Sequence, residues 1–170
     1  MIHRRNLLGA GALGLAGAAA AFANPEKAAD LAAPAIARNR RRFNMVTTWP
    51  KGLPGLGEAA ERVAQRIQQM SEGLMEVKVY AAGELVPPFE CFDAVSNGSA
   101  DMYHGAEYYW TAKSSAYPFF TAVPFGMTAQ ELMGWIDFGG GQKLWDELSA
   151  QFGIKSIQAA NTGHQMGGWF

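Results

Sequence analysis

The sequence predicts an α/β fold built on a parallel sheet, and three observations carry that prediction. Strand-like and helix-like segments alternate from Phe43 to His104, the helical segment after the first strand is amphipathic, and the joints hold glycine, proline or asparagine. Phe43 to Thr48 alternates and is β-rich, so it is the first strand. Trp49-Pro50-Lys51-Gly52-Leu53-Pro54-Gly55 ends it, because its prolines and glycines continue neither a ladder nor a helix. From Glu58 to Met70, Ala59, Ala60, Val63, Ala64, Ile67 and Met70 recur at helical spacing opposite Arg62, Gln65, Arg66 and Gln69; Gly73 is the expected left-handed stop. Met75, Val77 and Val79 alternate with Glu76 and Lys78 as a second strand. Phe89 to Ser96 reads as a short helix closing at Asn97-Gly98, and Ala100 to His104 as a third strand. Such a βαβαβ order calls for right-handed crossovers and places ligands beyond the carboxyl ends of the strands. The loops that face a ligand are then Trp49–Gly57, Ala81–Pro88 and Gly105–Lys113.

Further along, Thr128-Ala129-Gln130-Glu131 is a capping box that opens a helix through Phe138. Gly139-Gly140-Gly141 stops it; these follow a helix rather than a strand, so they read as linker glycines and not as a phosphate loop. Gln142 to Phe152 is the next helix, with Leu144, Trp145 and Leu148 on one face, and Ile154 to Ala159 the next strand. The final run, Gln165 to Phe170, is apolar and strand-like with no polar tail, and the expectation is a chain cut inside an element.

The other end reads as an export signal over residues 1–37. Arg4 and Arg5 precede an uncharged stretch from Leu7 to Ala23, and Ala21-Phe22-Ala23 supplies small residues for cleavage. The stretch is mostly Ala and Gly, short of the ~20 strongly apolar residues of a spanning helix. Arg4-Arg5-Asn6-Leu7-Leu8 is similar to a twin-arginine signal, although His3 and Gly9 depart from it, which leaves that route and the general pathway both open. A second small-residue site, Ala35-Ile36-Ala37, puts cleavage after Ala23 or Ala37. About 130 to 145 residues then remain, enough for one domain.

Composition narrows the function classes. A net charge of −1 gives no electrostatic case for nucleic acid, and the basic cluster Arg38 to Arg42 reads as a solvated tail. One cysteine, Cys91, excludes an internal disulfide and is expected to be a small buried side chain rather than a nucleophile. Three scattered histidines, His3, His104 and His164, do not suggest a closed zinc site. No nucleophile elbow, dinucleotide fingerprint, P-loop or His-Glu-x-x-His is present, so the residues do not suggest an enzyme. The ligand-side loops offer aromatic and amide groups instead. Trp49, Tyr108, Tyr109 and Trp110 provide apolar walls with one polar handle each, against the alternative that they only pack on helices. Glu84 and Glu107 in the same loops read as solvated charge. Asn161 and Gln165, beside a predicted strand end, can donate to a ligand, accept from it, or coordinate a hard cation through oxygen.

Several motifs together, in order, resemble one family. They are Ala82-Gly83-Glu84-Leu85-Val86-Pro87, Asp93-Ala94-Val95 with Gly98 and Asp101-Met102, Tyr108-Tyr109-Trp110, Ala122-Val123-Pro124-Phe125-Gly126-Met127, and Asn161-Thr162-Gly163 followed by Gln165 to Phe170. From Phe43 onward the chain resembles the periplasmic receptors of tripartite ATP-independent periplasmic (TRAP) transporters, in the branch that binds keto acids and other monocarboxylates. The resemblance implies a solute-binding protein of two α/β lobes, with residues 38–170 covering mainly the first lobe and the start of the second. It implies a soluble periplasmic protein that is not an enzyme and passes a small carboxylate to a membrane permease. A homodimer of the full-length protein stays open. It also implies a sodium or calcium ion bridging to the substrate, with Gln165 contacting cation and substrate and with Tyr108 and Tyr109 among the pocket aromatics. Maturation after the Ala33-Pro34-Ala35-Ile36-Ala37 stretch is favoured on the same ground. No arginine follows Arg66, and the arginine that anchors the carboxylate in this family lies beyond the Trp169-Phe170 position. The alternative from another class is an exported enzyme whose catalytic residues lie in the missing half.

Overall fold

The first strand in the chain is the middle strand of the sheet. In the computed structural model, which describes residues 40–163, β1 (Arg41–Thr47) lies between β2 (Met75–Tyr80) and β3 (Met102–His104), parallel to both. The export signal predicted for residues 1–37 and the candidate Gln165 fall outside those residues. A central parallel strand must be covered on both faces, and Met45, Val46 and Thr47 are accordingly 3%, 2% and 3% exposed. Its first residues correct the reading of the basic cluster as a tail. The Arg41 amide donates to the Leu74 carbonyl at 2.8 Å and Arg42 Nε to Glu76 Oε2 at 3.0 Å, so Arg41 and Arg42 extend the ladder while their side chains stay in water.

Alternation along β1 divides the two faces. Val46 points into a cluster with Cys91, Phe92, Ala94, Ala100, Trp110, Tyr117 and Ile154. Met45, Thr47 and Trp49 share the other parity, the side of α1 (Leu56–Met70). That helix buries Gly57, Ala59, Ala60 and Ala64, small residues that let it approach the sheet closely, while Val63 and Ile67 are half-buried. Met70 is 78% exposed: the apolar stripe ends before the last turn. The Gly73 amide closes the helix by donating to the Gln68 carbonyl at 2.8 Å, at φ +78°. The short helix predicted after β2 is a 3₁₀ turn, Pro88–Glu90, running into α2 (Cys91–Ser96). Cys91 is fully buried there, and burial pushes its thiol up to about 11, as expected of an inert core cysteine.

A second cluster, Phe120, Leu132, Ile136 and Trp145, forms between α3 (Ala129–Phe138) and α4 (Gly141–Ala150), and Leu148 packs against both clusters. The capping box is present: Thr128 N donates to Glu131 Oε2 at 2.7 Å and Glu131 N to Thr128 Oγ1 at 3.4 Å. On α4 the buried face runs through Trp145 and Ser149, and Leu144 is 52% exposed, contrary to the predicted face. The predicted strand Ile154–Ala159 carries no strand assignment. Its alternation is real, since Ile154 and Ser156 are buried while Lys155 and Ile157 are exposed, but side chains rather than a ladder hold it. Gln142 Nε2 donates to the Ser156 carbonyl at 2.8 Å.

The three glycines at the α3–α4 joint link the two helices as predicted, and they do so as a close-packed elbow. A Cβ at Gly141 would stand 2.8 Å from the Trp135 ring and 2.9 Å from Ile136 Cα, and Gly140 lies at φ +86°. Gly134, inside α3, faces open space. Gly141→Ala is expected to destabilise by about 1–3 kcal/mol through overpacking, and Gly134→Ala to stabilise by about 0.5–1 kcal/mol through helix propensity. Urea midpoints at unchanged slope measure both; equal shifts for the two variants would contradict the elbow.

Candidate functional site

The carboxyl ends of all three strands meet at Trp49. Its carbonyl accepts from the Ala82 amide in the loop after β2 at 2.8 Å, and from Thr47 Oγ1 at 3.2 Å. Its indole Nε1 donates to His104 Nδ1, at the end of β3, over 2.8 Å. Trp49 is 6% exposed: it opens the loop after β1 as predicted, with its indole buried beneath that surface. Because Nδ1 accepts, the proton of neutral His104 sits on Nε2, which has no hydrogen-bond partner among the described residues. Burial holds His104 below the usual histidine range, so it is uncharged at neutral pH.

Above this support lie Tyr108 and Tyr109. They belong to the 3₁₀ turn Glu107–Trp110, where residues three apart eclipse. Glu107 and Trp110 therefore both face inward, 3% and 4% exposed, and Tyr108 and Tyr109 face outward, 37% exposed each. Tyr109 lies edge-on to Phe89 at 5.3 Å and tilted against Trp49 at 6.2 Å, with Tyr108 at 4.7 Å. Burial against these rings, with the Tyr108 hydrogen bond second, pushes the Tyr109 hydroxyl up to about 12, so it remains a neutral hydrogen-bonding group. Trp110 anchors the turn by donating Nε1 to the Phe89 carbonyl at 2.8 Å.

Glu107 overturns the expectation of a solvated loop charge. Tyr103 Oη donates to its Oε1 at 2.6 Å, Ser156 Oγ to the same oxygen at 2.7 Å, and the Trp145 indole donates to Oε2. Ser149 and Ser156 share a further bond at 2.9 Å. Desolvation raises the Glu107 pKa, and the hydrogen bonds from Tyr103, Ser156 and Trp145 oppose the rise. Glu84, the other carboxylate, is exposed as predicted and accepts from the Ala81 amide at 2.9 Å.

Two cavities border these elements. One of about 60 Å³ lies beside Trp49, with Thr47, Lys51, Glu61 and Glu84. The other, about 240 Å³, lies between α1 and the 159–161 segment, where Asn161 stands with Arg62 and Arg66. Asn161 Oδ1 accepts from the Gly163 amide at 2.6 Å. The structure thus brings Trp49, Tyr108 and Tyr109 together and places Asn161 at a separate cavity. Among the described residues no group of three or more His, Cys, Asp or Glu side chains is placed to share a metal ion.

His104 and Glu107 were not legible as parts of this surface. For His104 a signal existed, since its register opposite Thr47 places it on the face of Trp49. The lowered His104 pKa means that its stabilising contribution is fully present above about 6.5 and is lost as pH falls through the folded value. Wild type is therefore expected to lose more stability than His104→Gln, which keeps an acceptor for Trp49, between pH 7 and 5. Chemical denaturation at both pH values measures this, and parallel losses would contradict it.

Comparison with known proteins places the chain. Residues 45–168 match the family described as bacterial extracellular solute-binding protein, family 7. A Nostoc protein named monocarboxylate 2-oxoacid-binding periplasmic protein is 43% identical over 129 residues, which cover 76% of this chain and 35% of that one. The crystal structure of a TRAP transporter solute-binding protein from Bordetella bronchiseptica, a mixed-occupancy dimer with calcium and picolinate in one site and an apo site in the other, is similar at a TM-score of 0.75. It is 35% identical, over 77% of this chain and 39% of that one. A TRAP periplasmic solute-binding protein from Pseudoalteromonas atlantica with bound sodium and pyruvate is 40% identical, at a TM-score of 0.74, over 77% of this chain and 40% of that one. The chain thus spans 35% to 40% of the length of these proteins. Sequence match and parallel α/β architecture agree, and the chain belongs to the bacterial extracellular solute-binding protein family 7.

Proposed function

We propose that the full protein is a periplasmic solute receptor that captures a small 2-oxo monocarboxylate with a sodium or calcium ion and delivers it to a TRAP membrane permease. The observation that carries this reading is the outward Tyr108–Tyr109 pair, supported by buried Trp49 at the carboxyl edge of a parallel sheet, in a chain of this family. An aromatic wall with hydroxyl handles suits a small ligand that is apolar on one side and polar on the other.

The ligands named for the relatives support the chemical class. Pyruvate and picolinate each carry a carboxylate beside a second donor, and both donors can close a five-membered ring on one cation. Removing a carboxylate from water costs several kcal/mol unless positive charge replaces the hydration. A bound cation supplies that charge. On this reading the chain contributes Tyr108 and Tyr109 as the wall, Trp49 as their support and Gln165 as the contact to cation and substrate, with Asn161 a second amide on the segment that leads to Gln165. The carboxylate-anchoring arginine and the remaining cation ligands belong to a second lobe beyond residue 170. Export by a cleaved signal, by the twin-arginine or the general route, puts the receptor in the periplasm, and the full protein is not an enzyme.

Isothermal titration of the full-length protein with pyruvate, in sodium or calcium buffer, is expected to show saturable binding without turnover. Tyr109→Ala is expected to weaken it about tenfold or more. Consumption of the bound pyruvate would favour the enzyme reading and overturn this one. The polypeptide 38–170 alone is expected to give no measurable binding heat under the same conditions; affinity equal to that of the full protein would refute the two-lobe site.

A further inference from the structure

We infer that Glu107 is a positioning residue that holds the tyrosine wall and the 154–163 arm in fixed relation for ligand binding. The inference rests on the reading of the site given above and adds to it a residue that does not itself touch the ligand. Glu107 is the first residue of the turn that carries Tyr108 and Tyr109, so its backbone moves with the wall. Its carboxylate, 3% exposed, accepts from Ser156, five residues before Asn161 and nine before Gln165. One side chain therefore links the two stretches that supply the proposed binding groups.

The carboxylate is suited to this by what surrounds it. Three donors converge on its two oxygens, from Tyr103 on β3, Trp145 on α4 and Ser156 on the arm, and among the described residues no cation is bonded to it. An amide in its place turns one oxygen into an NH₂ group. That group must face either the Trp145 N–H, which cannot accept, or the Tyr103 and Ser156 hydroxyls, which accept only by turning their own protons away from residue 107. Near its start the arm is also tied to α4, by the Ile154 amide on the Ser149 carbonyl at 3.1 Å, by the Ser149–Ser156 hydroxyl bond at 2.9 Å, by Lys155 to Asp146, and by Gln142 on the Ser156 carbonyl. Loss of the Ser156–Glu107 bond thus cuts the tie between the arm and the tyrosine turn while these ties to α4 stay. The titratable groups facing Glu107 are Tyr103 and Tyr117, and burial raises both hydroxyls. Neither changes charge below pH 9, so a pH step seen in that range and removed by Glu107→Gln belongs to Glu107.

The test uses the full-length protein and titration calorimetry with pyruvate and calcium from pH 5 to 8. Glu107→Gln is expected to bind about tenfold more weakly at pH 8 and to lose any pH dependence that the raised Glu107 carboxyl gives the wild type. Ser156→Ala, which removes the arm's bond to Glu107 together with its bond to Ser149, is expected to weaken binding in the same direction, with Ser149→Ala, which removes the second bond only, as its control; it decides the matter if Glu107→Gln does not fold. Ala60→Gly, which loosens α1 against the sheet without touching this network, is the control for stability and is expected to leave the affinity of the folded protein unchanged. Wild-type affinity and pH profile in the folded Glu107→Gln protein, or wild-type affinity in Ser156→Ala, would overturn the inference. Absence of pyruvate binding by the wild type would overturn the proposed function instead.

Discussion

The surface at the end of the sheet depends on one buried side-chain hydrogen bond, from Trp49 Nε1 to His104 Nδ1. Parallel strands share no tight hairpin, so their carboxyl ends are joined only through long crossovers. Nothing in the ladder itself fixes the three exit loops against each other beyond the last paired residue. Trp49 supplies that fixation by its carbonyl to the β2 loop, by its indole to β3, and by its ring face to Tyr109. The bond also needs an uncharged imidazole, because a protonated Nδ1 cannot accept. Burial, which keeps His104 neutral, is thus a condition of the contact as well as its consequence.

Glu107 solves a related problem by a different means. An anion in a protein interior is costly unless it is paired or fully hydrogen-bonded. Here it is met by neutral donors alone, from a strand, a helix and an extended arm. Such a site is satisfied in one geometry only, since each donor is fixed by its own element. The carboxylate is expensive as a contribution to stability, and its folded pKa is raised. Its contribution is best below the ordinary carboxylate range and is lost as pH rises through the folded value. An apolar side chain of similar size fills the space at less cost but leaves the three donors without an acceptor. Geometric definition is what the charge offers in return.

The sheet and its helices were legible in the sequence because their signals are local. Alternation over Met75 to Val79, the Thr128–Glu131 capping box and the glycine at position 73 each declare an element within a few residues, and the structure follows them. The misreadings share a different cause. Leu144 carries the right residue type on the wrong side of α4, whose buried face sets Trp145 against Phe120 and Ser149 against Ser156. Residues 154–159 alternate as a strand does, yet alternation reports one buried side and not a partner strand. Glu107 reads as loop charge because its partners Trp145 and Ser156 lie 38 and 49 residues away, a distance over which no periodicity speaks. Of the candidate site, the aromatic wall was visible in the sequence, whereas the groups that hold it in place were not.

The short turn that carries the tyrosines shows why such holding groups matter for the proposed receptor. A 3₁₀ turn of four residues has little stability of its own, since its hydrogen-bond geometry is poor. Here both of its ends are fixed from inside, Glu107 by three donors and Trp110 by the Phe89 carbonyl, and the two central tyrosines have no choice but to face outward. Their rings are then braced laterally by Phe89 and Trp49. Ordering a loose aromatic pair on binding would cost about 0.5–1.5 kcal/mol for each side chain immobilised. A ligand of a few heavy atoms has little interaction energy with which to meet that cost. If the ligand is a small carboxylate, as proposed, the wall has to be in place before it arrives, and the buried end residues of the turn hold it there.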